Sequence, residues 1–361
     1  MRQSIFILST IFGLLSIVCC PLSIMAQTEV EPFVPGSTLE GVTYYLPRTA
    51  FRVTVIAEKT TTRPGDFHKY ADRYLRLQNV PTEESVKWNL KSITFEPYGK
   101  PDKNKAYSIK IKSKTVAPLV GLSRDGLLLS INCDANESFL PDLPKPEKGQ
   151  TPENPRSYMT QEMLAAGSTA KMAELCAQEI YDIRDSKNAL IRGEAENTPK
   201  DGAQLKLMLD QLDKQASVLE SLFSGTTQTD TEVFSFFYDP QQETSRDVLF
   251  RFSQKLGVLD ADNLAGEPVI ASIKVLETIP TTVPSEEAAK KRAKMDHGVY
   301  YNIPARAKIN VTYNGQEFVN METPMAQFGI VDILSNTLFD KKATTQVTFF
   351  QTTGGTKDVM E

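Results

Sequence analysis

The sequence predicts an α+β protein with two β-rich, sandwich-like domains separated by an antiparallel helical hairpin. Three observations carry this expectation. Residues 37–139 and 228–361 alternate short β-rich runs with turn signals. Between them, Leu205, Leu209, Leu212, Ala216, Leu219 and Phe223 recur at spacings of four, three, four, three and four, the stripe of a helix lying along a partner. Residues 140–157, with prolines at 141, 144, 146, 152 and 155, form a linker with almost nothing apolar to bury.

Taken in order, residues 1–26 read as a signal peptide: Arg2 precedes an apolar run that ends in Ile24-Met25-Ala26, a small-residue cleavage site. A membrane anchor is the competing reading, but Pro21 and Ser23 break the run just before the cut. Lipid attachment at Cys19 or Cys20 needs a small residue in front, and Val18 and Cys19 stand there. The expected location is outside the cytoplasm, in the periplasm or at the cell surface in association with the outer membrane, with no transmembrane span after cleavage.

Within 37–139, Phe51, Val53 and Val55 alternate with polar residues, and 88–95 and 106–112 form further β-rich runs. Phe67, Tyr70, Ala71, Tyr74 and Leu75 recur at helical spacing behind Pro64-Gly65, which predicts one helix packed on the sheet. The hairpin spans 158–225, its helices 158–192 and 199–223. Cys176, Ile180, Ile183 and Leu190 supply the first seam, with Lys187 at one apolar position. Thr198 is the expected N-cap of the second helix, with Pro199 at its first position, Asp201 at its third and Gly225 closing it.

Beyond it, FSFFYDP, VLFRFSQ, PVIASIKVLETI and RAKINVTY are candidate strands. Asn314-Gly315 predicts a two-residue hairpin turn that sets Val311 opposite Phe318. PSEEAAKKRAKMDHG reads as a short polar helix whose charges match its dipole. Gly41, Val42, Tyr44, Pro47 and Ala50 recur as Gly298, Val299, Tyr301, Pro304 and Ala307, an echo that suggests two related β modules, although the alternation slips by one residue past the proline.

Composition narrows the chemistry. With 45 acidic against 40 basic residues, the chain lacks the overall positive charge of a nucleic-acid binder. Only His68 and His297 are available for histidine chemistry, and neither has a second histidine or cysteine at ligand spacing. Cys133 and Cys176 could form one disulfide in an exported chain, but spacing alone does not bring them together, and buried free thiols are the expected state. Gly121-Leu122-Ser123-Arg124-Asp125-Gly126 misses the nucleophile-elbow spacing by one residue and reads as a turn. Asp260, Asp262 and Asn263 cluster oxygens but fail the EF-hand template, leaving a solvated loop or an irregular calcium site. Gly167-Ser168-Thr169-Ala170-Lys171 lacks the spacing of a phosphate loop and is a helix segment. Lys290, Lys291, Arg292 and Lys294 could touch anionic polymers, and Tyr44-Tyr45, Tyr300-Tyr301 and the run from Phe234 to Tyr238 could stack on sugars; a solvated helix end and β packing are the plainer readings.

The segments GVTYYLPRTAFRVTVIAEKTTTRPGDFHKYADRYLRL, LSRDGLLLSIN, EIYDIRDSKNALIRGEAENTPKDGAQLKLMLDQLD, FRFSQKLGV and GVYYNIPARAKI together resemble the domain of unknown function 4831 family of exported Bacteroidetes proteins. The resemblance covers nearly all of the chain after the signal. Gly often follows Tyr-Leu in that family where Arg76 stands here. The family has no established activity, so the resemblance implies export and no membrane span, and transfers no catalytic, cofactor or metal-binding residue. The expected function is a non-catalytic binding or assembly module of the cell envelope, its partner an envelope protein or a surface glycan. A carboxylate-based glycan hydrolase and a fimbrial or adhesin-type subunit are the alternatives.

Overall fold

Strands carry most of the structure because β-branched and aromatic residues at period two dominate both ends of the chain. The computed structural model describes residues 29–34, 41–110, 119–196, 199, 201–277, 298–339 and 345–360. The expected signal peptide, Thr198, the segment expected to form a polar helix, with its lysines, and His297 lie outside them. In chain order the elements are β1 (Glu29–Pro32), β2 (Gly41–Arg63), α1 (Ala71–Leu75), β3 (Ser85–Lys110), β4 (Val120–Leu122), β5 (Leu128–Ile131), α2 (Gln161–Leu164), α3 (Thr169–Arg192) and α4 (Gly202–Ser224). There follow β6 (Thr226–Tyr238), β7 (Thr244–Ser253), β8 (Gly257–Leu259), β9 (Glu267–Val275), β10 (Val299–Tyr313), β11 (Gln316–Leu334), β12 (Gln346–Phe349) and β13 (Thr356–Met360).

Two long antiparallel pairs, β2 with β3 and β10 with β11, form the frame, and both bend in the same way. Between Tyr45↔Ala106 and Pro47↔Pro101, the single residue Leu46 faces 102–105. Between Ile303↔Ile330 and Ala305↔Met325, the single residue Pro304 faces 326–329. Extra residues on one strand interrupt the ladder and turn it. On one side of the bends β6 joins β2 and β9 joins β10, carrying β7 and β8, around a core that includes Phe51, Val53, Phe95, Phe250, Phe252, Ile273 and Ile309, while β1 pairs with β3 on the other side. The halves on the other side meet the sheet β13-β12-β5-β4 around Tyr44, Leu46, Ile109, Ile131, Val299 and Val347.

The two β-rich stretches are separated along the chain by helices, yet they interleave in space. β6 pairs with β2 from Phe51↔Tyr238 to Arg63↔Thr226, and β12 pairs with β5. Each β core therefore draws on both. The repeated bend also explains the slip in the sequence echo: the bends correspond at an offset of 258, whereas the matching residues are 257 apart, so Tyr44 corresponds in place to Asn302 rather than to Tyr301.

The helices form their own cluster, in which Ile180 and Ile183 of α3 pack with Leu219, Leu222 and Phe223 of α4. Leu212 is only half-buried, and Leu209 likewise. Arg184 binds Glu220 and Lys187 binds Asp213, so the contacts run in opposite order along the two helices, and Lys187 takes an apolar position to make an ion pair. The expected helix starts shift. In place of one helix over 158–192, a 3₁₀ turn, Pro155–Tyr158, is followed by α2 and then by α3 capped by Ser168. α4 begins at Gly202, with Asp201 accepting from the Ala203 N–H as N-cap, a polar side chain outcompeting the Pro199 start.

Two further expectations change. The Phe67–Leu75 stripe forms a 3₁₀ turn, His68–Tyr70, and the five-residue α1, and it packs on the helices rather than on the sheet. The cause is register: Arg63↔Thr226 pairing delivers the end of β2 beside α4, where the Phe67 N–H donates to Leu222 O at 2.6 Å and the Phe67 ring lies 5.4 Å from Phe223. At the Asn314-Gly315 turn, both φ angles are positive as expected, at 48° and 79°, but Val311 faces Val319 because a register shift leaves Phe318 in a bulge.

The Pro-rich segment is a fixed strap. Thr231 N–H donates to Glu147 O at 2.7 Å, Gly149 N–H donates to the Asp230 Oδ1 at 2.9 Å, and the Arg52 guanidinium donates to Pro141 O. Its side chains are exposed as the sequence predicts, while its backbone borrows partners from β2 and β6.

Candidate functional site

Between the two bends runs the loop 350–355, and buried polar side chains hold it there. Asn302 donates its Nδ2 hydrogens to Pro47 O at 3.0 Å and Thr353 O at 2.8 Å, and its backbone N–H to Gly354 O at 3.1 Å. Thr49 Oγ1 donates to Thr352 O at 3.1 Å and accepts from Ala326 N–H at 3.0 Å. The Gln327 amide accepts from Thr49 N–H and donates to Thr49 O, both at 3.0 Å, filling the place of a strand neighbour. Gly354 is required here: its φ is 69°, and a Cβ would lie 2.7 Å from Pro47 Cδ.

This loop, β3 and the start of the strap enclose a cleft of about 260 Å³ lined by Tyr98, Arg124, Asp125, Glu137, Ser138 and Phe139. Period two along β6 sends Phe234, Phe236 and Tyr238 against the core and leaves Phe237 65% exposed, where its ring meets Tyr98 edge-on at 5.3 Å. Phe139, 66% exposed, carries the Arg124 guanidinium 5.1 Å from its ring centre. Glu137 accepts the Arg124 N–H at 3.1 Å and faces its Nε at 3.7 Å. Ser138 N–H and Oγ both donate to Gln351 Oε1, at 2.7 and 2.8 Å, which fixes the strap wall. Burial pushes the Tyr98 phenol up, with Lys100 opposing the shift and Asp239 adding to it. Exposed ring faces beside a guanidinium, carboxylates and an amide suit a ligand with both apolar and hydroxyl faces.

The residues singled out from sequence mostly have local partners. Ser123 Oγ accepts the Leu127 N–H at 3.0 Å inside the Asp125-Gly126 turn, so the elbow-like motif closes a hairpin. His68 Nδ1 lies 2.8 Å from Gly65 O. Arg251 donates to Ala261 O at 2.9 Å and Gly266 O at 3.0 Å, placing a cation where the Asp260 and Asp262 loop would offer carbonyls to calcium. Among the described residues no group of three or more His, Cys, Asp or Glu side chains could hold a metal ion.

Cys133 and Cys176 are both free; Cys176 is buried and its thiol pushed up to about 11, first by burial and then by Glu179, whereas Cys133 is half-exposed rather than buried. One tyrosine of each pair meets the other: Tyr44 OH donates to Tyr300 O at 3.2 Å and accepts its N–H at 3.0 Å, and the Tyr107 and Tyr300 rings stack at 4.2 Å. They are joints between the two long hairpins. Of the aromatic run, only Phe237 reaches the cleft's rim. Tyr98, Arg124, Phe139 and Gln351 were not legible as a group; the one signal was the isolated Phe139 at the head of a Pro-rich segment.

Among the described residues no helix is long and apolar enough to cross a membrane. A protein-family model described as "Domain of unknown function (DUF4831)" matches residues 40–357. No curated protein and no solved structure matches the chain.

Proposed function

The chain belongs to the domain of unknown function 4831 family, and we propose that it is an exported, non-catalytic binding module of the cell envelope whose ligand is a surface glycan. The observation that carries this reading is the aromatic wall of the first cleft, where exposed Phe139 and half-buried Tyr98 lie beside Arg124 and Asp125 and exposed Phe237 packs edge-on against Tyr98. Sugar rings offer C–H faces to aromatic side chains and hydroxyls to charged ones, and such a rim serves both. The hydrolase alternative would use Asp125 and Glu137 as its acid pair. Glu137 is instead held by Arg124 from two directions, which suits orientation of the rim better than proton transfer.

The test is retention of the full chain on envelope polysaccharide from its host, compared between wild type and Phe139→Ala. Phe139 is exposed, so its loss leaves the fold intact, and binding should weaken by about tenfold, the scale of an anchor residue. Equal retention of the two proteins refutes the site, and release of new reducing ends favours the hydrolase.

A further inference from the structure

A second cleft, of about 440 Å³, opens at the other bend, and it shares a wall with the first. That wall is the loop 350–355. Thr352, half-buried, lines both clefts, while Gln351 before it lines the first and Phe350 the second. On the side of the first cleft the loop packs directly on β3, where a Cβ on Gly99 would overlap Gln351 O. On the side of the second it is held by Asn302, which donates to Thr353 O from its side chain and to Gly354 O from its backbone. The divider between the clefts is therefore a single fixed turn of chain.

The clefts differ in what they offer. The first carries Arg124, Asp125 and Glu137. The second has no charged residue among its described lining; Tyr301, Pro304, Pro324 and Phe350 give it ring surfaces, and Thr352 and Thr356 bring hydroxyl groups. The Phe350 ring is 48% exposed. Flat apolar surface beside a few hydroxyls matches the C–H face and hydroxyl edge of an uncharged sugar unit. Resting on the glycan reading of the first cleft, we propose that the bound glycan continues across Thr352 into the second cleft, where Phe350 and Tyr301 stack a further, uncharged unit. The ligand is then a chain of several sugars, and the shared wall at Thr352 is what makes the two clefts subsites for one chain. Contact in the second cleft follows contact in the first within the same complex, so length is converted into affinity.

The test separates this proposal from the reading it rests on. Envelope polysaccharide from the host is partly hydrolysed and sized into short fragments, of one or two sugars, and long ones. Both are titrated by calorimetry into the full chain as wild type, Phe350→Ala and Phe139→Ala, both substitutions being at exposed positions that leave the fold intact. Long fragments should bind the wild type about tenfold more tightly than short ones. Phe350→Ala should keep the wild-type affinity for short fragments and lose the gain with length, whereas Phe139→Ala should weaken the binding of both. Equal affinity of short and long fragments for the wild type, or a gain with length that survives in Phe350→Ala, overturns the second subsite and leaves the first standing. Failure of every fragment to bind refutes the glycan reading and this proposal with it.

Discussion

At the first bend the residues facing Leu46 are Asp102, Lys103, Asn104 and Lys105; at the second, those facing Pro304 are Ala326, Gln327, Phe328 and Gly329. The first set is polar and closes on itself, with Asp102 Oδ1 accepting the Asn104 N–H at 3.1 Å. The second is tied into the molecule: Ala326 is buried and bonded to Thr49, and Gln327 bridges Thr49 and Pro240. The same backbone geometry is thus completed by local polar contacts in one hairpin and by distant protein in the other. A bend leaves main-chain groups without ladder partners, and what satisfies them decides whether the site is tolerant or rigid.

The sharpest way to break this comparison is Asn302→Leu at the rigid bend. The substitution removes two donated hydrogen bonds and leaves the Pro47 and Thr353 carbonyls buried, so denaturant unfolding should show a loss of about 2–4 kcal/mol. Asp102→Ala at the tolerant bend removes one local bond and should cost about 0.5–1.5 kcal/mol in the same assay. Equal losses would show that both bends depend on tertiary contacts alike.

The smallest effect concerns the strap. Asp230 is held below the usual carboxylate range by the Gln228 amide and then the Gly149 N–H. A depressed carboxylate stabilises above its unfolded pKa, and that contribution is lost as pH falls through the lowered folded value. The Gly149 amide should therefore keep its hydrogen-bonded chemical shift at neutral pH and lose it with a midpoint below the ordinary aspartate value. A midpoint at the ordinary aspartate value would show the strap resting on Thr231 and Arg52 alone.

Much of the local structure was legible because it depends on neighbours in sequence. Period two along Phe51, Val53 and Val55 fixed a strand and its apolar face, Asn314-Gly315 fixed a turn, and the leucine stripe fixed a helix and which side it buries. The helix starts were less legible, since Pro199 and Asp201 competed for the same end and the cap won. The candidate cleft was hidden, because Tyr98, Arg124, Phe139 and Gln351 converge from four separate places in the chain.

By itself, then, the sequence determined the period-two strands, the leucine-striped helix, the Asn314-Gly315 turn and the likeness to a family whose model matches residues 40–357. Only the tertiary structure decided that β6 would lie beside β2, that both long hairpins would bend alike, and that the loop 350–355 would be clamped between them. The physical reason is range. Side-chain periodicity is set by the backbone over a few residues, whereas strand partners and clefts follow from which apolar faces and unpaired main-chain groups meet after the whole chain has folded.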